Sequence, residues 1–209
     1  MKMIRQALLV SLVIVENYVF GQPVAKDFSL PVRPTANYYN ANPFMAFYKG
    51  KYHMGEDWNG NGKGSTDYGD PVYPMAVGKV VKVLDPPLTQ KDSIGKVVVL
   101  KHRLPDDQVV YSYYFHLSKI MVSLNQIVWP NKSLGKIGDS NGYYPGAANL
   151  HFEIRRVNQP ISPSYYSNLT ITTAQKYLDP ALFIDDHRVE ITFSTRSGWL
   201  TASSEEVEV

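Results

Sequence analysis

Cysteine is absent from all 209 residues of this chain, so a disulfide framework, a thiolate metal site and a lipid-modified cysteine are all excluded. Any metal must be held by His, Asp or Glu. Net charge is nearly absent too. The 21 basic and 19 acidic side chains leave +2, which gives no electrostatic case for nucleic acid or for an anionic membrane surface as partner. Long apolar runs are also missing: the stretch Ala7–Val15 is well short of the about 20 residues that a bilayer-spanning helix needs. No long window repeats apolar residues every three to four positions, which argues against a helical bundle.

What the start does contain is the pattern of an export signal. Lys2 and Arg5 precede the apolar run, and Val19-Phe20-Gly21 offers a cleavage point before Gln22, with a cut after Ala25 as the alternative. Residues 1–21 therefore read as a signal peptide, and the expected location is the periplasm or the extracellular space. Removing Lys2, Arg5 and Glu16 with the signal leaves 19 basic and 18 acidic side chains, so the mature chain is close to neutral. Its length suits one domain. Residues 22–33 read as a lead-in segment, 34–186 as the domain body, and 187–209 as a C-terminal strand followed by an acidic tail.

The body is β-rich. Val77–Val83, Lys96–Lys101 and Val109–Leu117 are crowded with β-branched, apolar and aromatic residues, and Asp85-Pro86-Pro87, Leu104–Asp107 and Gly135–Gly146 supply turns between them. Thr172–Leu178 is compatible with a short helix before Asp179-Pro180. The expectation is a mainly β fold of antiparallel sheets with one or two short helices.

Three short segments carry chemistry: His53 to Asp57, His116 in Tyr114-Phe115-His116-Leu117, and His151 in Asn149-Leu150-His151-Phe152-Glu153. Alternation on a strand puts Asn149, His151, Glu153 and Arg155 on one face and Leu150, Phe152 and Ile154 on the other. The same rule sets Ser112, Tyr114 and His116 against Tyr113, Phe115 and Leu117. His53 and Asp57 share a parity, with Gly55 between them removing a side chain that would block approach. Glu56 has the opposite parity and is expected to face solvent. A lone histidine on such a strand is more often merely solvated, but these are not alone. Two imidazoles and a carboxylate, with a further imidazole to spare, leave zinc a fourth position for water and so point to hydrolysis. Asp57 to Tyr68 superficially resembles a calcium loop, but its twelfth position is a tyrosine rather than a bidentate Glu. The glycines at 60, 62 and 64 do not link a strand to a helix as a phosphate loop must.

Taken in order, His53-Met-Gly-Glu-Asp57, Gly69-Asp70-Pro71-Val72 through Gly78-Lys79-Val80, Val97–His102, Tyr114–Ile120, Gly135–Gly138, Leu150–Arg155 and Asp179–Ile184 resemble the lysostaphin-type zinc metallopeptidases. These are also called the LytM-like or duplicated-hybrid-motif family. The resemblance runs over nearly the whole mature chain, and it implies antiparallel sheets forming a groove, a zinc ion, and peptidoglycan stem peptides or cross-bridges as substrate. It implies that His53, Asp57 and His151 hold the metal and that His116 assists catalysis. The family has His-x-His where this chain has Asn149-Leu150-His151, so Asn149 stands in place of an assisting base. A neutral amide accepts no proton usefully near neutrality, but it can donate a hydrogen bond to a developing oxyanion.

The competing reading is a catalytically impaired module that retains zinc and binds or regulates peptidoglycan; Asn149 is the feature in its favour. Glu153 is placed either to orient the His151 ring or to make a surface salt bridge with Arg155 or Arg156. His102 and His187 receive no chemical role. Ser65–Asp70 and Asn141–Ala148, with Tyr68, Tyr143 and Tyr144, are expected to flank the groove, and Ile161–Thr173 to cap it or decorate an edge.

Overall fold

The structure is a computed structural model that describes residues 22–87, 89, 94–140, 147–161, 166–168, 170, 175–188, 191–195 and 198–202. Its main sheet has seven strands side by side: β1 (Tyr38–Asn42), β4 (Glu56–Gly60), β11 (Leu150–Arg155), β8 (Val109–Ile120), β7 (Lys96–Arg103), β6 (Gly78–Leu84) and β9 (Ile127–Val128). Three short strands complete it: β5 (Pro71–Val72) and β10 (Gly135–Ile137), joined to β8, and β13 (Tyr177–Leu178) on β11. Every pairing in this sheet is antiparallel. A small sheet joins β2 (Phe47–Tyr48), β3 (Lys51–His53) and β12 (Tyr166–Ser167), and β14 (Ile191–Thr195) pairs with β15 (Gly198–Ala202). The fold is mainly β, as the residue pattern predicts.

The run Val97–Leu100 is apolar at every position because both faces of β7 are covered. Val98 and Leu100 enter the main core with Leu150, Phe152, Ile154 and Tyr114, while Val97 and Val99 pack with Tyr113 and Phe115 on the other face. Burying each such side chain stabilises the fold by about 1.5–3 kcal/mol. The lead-in segment joins the main core through Ala25, Phe28 and Val32, and Ala25 N–H donates to the Arg103 carbonyl at 2.7 Å.

The short helix expected over Thr172–Leu178 is met in part, with residues 172–174 outside the described residues. Gln175 and Lys176 are helical, but Tyr177 and Leu178 form β13 against Ile154 and Arg155. The Pro180–Asp186 helix then begins rather than ends at Asp179-Pro180: Asp179 caps it, accepting from Leu182 N–H at 3.1 Å, and Pro180 fills the first turn, where no N–H is needed. Phe183 and Ile184 dock that helix on the core, and His187 closes it by stacking on Phe183 at 4.1 Å between ring centroids. Residues 1–21, read as a signal peptide, the acidic end of the tail at 203–209, and residues 141–146, 162–165 and 171–174 lie outside the described residues.

Candidate metal centre

Strands of the two sheets bring His53, Asp57 and His151 together. His53 ends β3, Asp57 sits in β4, and His151 lies directly opposite Asp57 in the β4–β11 register. Gly55, in the turn between β3 and β4, permits this approach. A Cβ there would stand 2.5 Å from the Phe152 carbonyl oxygen, 2.7 Å from Glu153 Cγ and 3.0 Å from His151 Cε1. Its role is therefore close backbone packing against β11.

The donor atoms converge. His53 Nε2 lies 3.0 Å from His151 Nδ1 and 3.4 Å from Asp57 Oδ1, and His151 Nδ1 lies 2.8 Å from Asp57 Oδ1. Zinc bonds of about 2.0–2.1 Å in tetrahedral array separate donors by about 3.3 Å, so a shift of a few tenths of an ångström would seat the ion. Among the described residues this is the sole group of three His, Asp or Glu side chains whose ligand atoms meet in this way. The set fits zinc in number and type and leaves one tetrahedral position open.

Partners fix each of the three side chains from behind. His53 Nδ1 donates to the Pro43 carbonyl at 3.2 Å, and Asn42 Nδ2 donates to Asp57 Oδ2 at 3.1 Å. His151 Nε2 donates to Glu153 Oε1 at 2.9 Å. Glu153 is fully buried and also holds Arg155, itself 2% exposed, at 2.5 Å. The two alternatives for Glu153 therefore coexist, and the salt bridge is buried rather than superficial. Burial works against ionising Asp57, but hydrogen bonds from His151 and His53 override it and hold the carboxyl well below its usual range. Burial likewise works against a charged His151, and Asp57 and Glu153 override it, pushing the imidazole up to about 9.

His116 reaches this group by breaking the alternation of its strand. Directly across from His151, Glu153 and Arg155 stand Phe115, Tyr113 and Tyr111, so the odd-numbered residues of β8 face the site. Ser112 and Tyr114 turn into the core instead: Ser112 Oγ meets His102 Nε2 at 2.7 Å, and the Tyr114 hydroxyl accepts from Met75 N–H at 2.9 Å. The polar face expected of Ser112, Tyr114 and His116 does not exist. The register slips between Lys96 and Val98, so Phe115 and His116 together oppose Val97, and His116 takes φ +61°. This bulge swings the imidazole to the metal side, where its ring lies 6.0 Å from that of His151. Left-handed backbone at a non-glycine residue is uncommon, with His among the types enriched there.

The His116 ring is buried, with Nδ1 3.2 Å from the Ile94 carbonyl oxygen and 2.7 Å from Ser140 Oγ. A carbonyl oxygen only accepts, so the proton belongs on Nδ1 and the acceptor lone pair on Nε2. Burial, reinforced by neighbouring His151, pushes its pKa down to about 4, and the ring is neutral at pH 7. Asn149 precedes His151 by two residues in the same extended run, and its N–H donates to the Gly138 carbonyl at 3.1 Å.

Glu56 corrects another expectation. It is 2% exposed rather than solvent-facing, because Trp58 and the start of the Pro180–Asp186 helix cover it. Trp58 Nε1 donates to it at 3.0 Å, and burial pushes its carboxyl up to about 7. Trp58 two residues on shares its face and was the signal available. Asn42 and Ser140, by contrast, lie in no motif and reach the site only through the fold. Tyr68, expected to flank the groove, is exposed, and β12 pairs with β3 so that Tyr166 stands opposite His53.

The sequence signature of peptidase family M23 matches residues 51–163, more than half the chain. The chain belongs to peptidase family M23. No curated protein sequence matches it. Among solved structures, the antimicrobial peptidase lysostaphin from Staphylococcus simulans is 24% identical with a TM-score of 0.50, the match covering 72% of this chain and 50% of that one. A zinc-containing peptidase from Vibrio cholerae is 25% identical with a TM-score of 0.46, covering 62% of this chain and 37% of that one. A chain of the SpoIIIAH and SpoIIQ complex is 20% identical with a TM-score of 0.51, covering 75% and 99%. The chain thus spans half or less of the first two proteins, and the likeness to lysostaphin and to the complex is one of fold.

Proposed function

We propose that the chain is an exported zinc endopeptidase that hydrolyses peptide bonds in peptidoglycan stem peptides or cross-bridges. The observation that carries this reading is the meeting of His53 Nε2, Asp57 Oδ1 and His151 Nδ1, two nitrogens and one oxygen with a fourth position open. Zinc, when bound, supplies Lewis-acid polarisation of a carbonyl and lowers the pKa of water to about 7. His53, Asp57 and His151 hold it. His116, neutral and with its lone pair on Nε2, takes up the proton released on attack and returns it to the leaving amine. Asn149 donates an amide hydrogen bond to the negative charge that develops on the carbonyl oxygen. Membership of a peptidase family and the signal-like start support the reading; family resemblance supplies the peptidoglycan substrate.

A second reading has one observation of its own. Position 149 offers an amide where the family offers an imidazole, so a zinc-retaining module that binds or regulates the cell wall without cutting it also fits the geometry. One digestion separates the two: purified cell wall is incubated with the zinc-loaded protein, with His116→Asn as control. New amino termini released by the wild type alone support the enzyme. Sedimentation with the wall and no release would establish the module.

A further inference from the structure

The odd-numbered side chains of β11 continue past the metal ligand. His151, Glu153 and Arg155 follow one another on one face, all buried, in an unbroken chain. His151 Nε2 donates to Glu153 Oε1 at 2.9 Å, and Arg155 donates from Nε and Nη2 to Glu153 Oε2, each at 2.5 Å. The guanidinium is itself held by aromatic rings, its central carbon 3.9 Å from the Tyr113 centroid and 5.0 Å from that of Tyr177. Those rings come from the strands on either side of the C-terminal end of β11: Tyr113 stands opposite Glu153 on β8, and Tyr177 opposite Arg155 on β13.

We propose that Arg155, which touches none of the three ligands, is a positioning residue for the metal, acting through Glu153 on the ring of His151. A histidine ligand binds through whichever nitrogen its other nitrogen's hydrogen bond leaves available. Glu153 accepts from Nε2–H and so commits Nδ1 to the side of His53 and Asp57. A carboxylate can turn about its terminal torsion, and nothing in its bond to His151 prevents this. The planar fork of Arg155, clamped between Tyr113 and Tyr177, fixes the far oxygen of Glu153 and with it the plane of the carboxylate. A lysine supplies the charge but neither the fork nor the flat stacking surface, so charge and orientation are separable here. The inference rests on the metal reading of His151, and its test includes a measurement that needs no metal.

Zinc affinity is measured by competition with a chelator, and the Nε2–H proton of His151 is followed by nuclear magnetic resonance in metal-free protein with labelled histidine. Loss of such outer partners typically lowers affinity 10–100-fold. Arg155→Met and Glu153→Ala should each do so at about that level. Glu153→Gln, whose amide oxygen still accepts, should recover most of the affinity, and Arg155→Lys should fall between Arg155→Met and wild type. Affinity within about twofold of wild type for Arg155→Met and Glu153→Ala, with only thermal stability reduced, would overturn the proposal. If Arg155→Met does not fold, Arg155→Lys decides: wild-type affinity refutes, a severalfold loss supports. If the wild type binds no zinc, the metal reading fails separately, and the resonance judges the positioning. Its loss in Arg155→Lys supports the proposal; an unchanged signal overturns it.

Discussion

Gly138 passes so close to His116 that a Cβ at position 138 would stand 2.6 Å from the His116 carbonyl oxygen and 2.5 Å from Ser118 N. Both are backbone atoms of β8, next to the bulge that turns the imidazole inward, so neither can yield without moving it. Gly138→Ala should cost about 1–3 kcal/mol, as overpacking does. It should lower peptide hydrolysis more than that loss explains, with zinc affinity nearly unchanged because His53, Asp57 and His151 lie on other strands. Thermal melting, a chelator titration and a turnover assay on one preparation would check all three outcomes.

Gly55→Ala should do the reverse. The new methyl meets the Phe152 carbonyl and the ring of His151, so the metal site itself is displaced. Zinc affinity should fall at least tenfold, on the order of an outer-partner loss. A variant that kept wild-type affinity would show that β3 and β4 can retreat from β11 without disturbing the ligands.

Stability of the metal-free protein should peak near pH 6.5. His102 and His116 are pushed down to about 4 by burial, from an ordinary 6.5, so between these values the unfolded chain binds more protons. Their contribution is present above pH 6.5 and lost as pH falls towards 4. His151 behaves oppositely. Despite its burial, Asp57 and Glu153 raise it to about 9, so its contribution is present below pH 6.5 and lost as pH rises through 9. Each group changes stability by about 1.4 kcal/mol per pH unit within its window. Denaturant midpoints from about pH 4 to 10 would trace this dome, and zinc should remove its alkaline limb because His151 must lose a proton to bind.

Asn149→His should raise turnover if proton transfer limits the enzyme. General-base assistance is typically worth 10²–10⁴-fold, and a gain within that range with unchanged zinc affinity is expected. No gain, in a variant that folds and binds zinc, would place the limit elsewhere.

Much of this centre was legible in the sequence, because even spacing on strands maps directly onto faces. His151 alternates with Leu150 and Phe152 as read, whereas His53 and Asp57 fall on separate strands, β3 and β4, and the three side chains meet through the turn at Gly55 between them. His116 was legible as a participant but not by its route. Alternation groups it with Ser112 and Tyr114, whereas one extra residue against Val97 reverses its direction. Glu56 was misplaced for a related reason: parity says which side a residue takes, not whether that side is covered, and here Trp58 and a helix cover it. The helix at Pro180 was hidden because Asp179-Pro180 reads as a stop until the capping bond to Leu182 shows it to be a start.

The backbone angle of +61° at position 116 also governs how an inert form of the protein should be made. Alanine there keeps the Cβ that left-handed torsion disfavours but loses the ring contacts to Ile94 and Ser140 that hold it, and would confound lost chemistry with a relaxed strand. Asparagine tolerates the torsion and cannot shuttle a proton, so it separates the two. Shape and reactivity thus impose different demands on a single side chain, and only a substitution that respects the first can report on the second.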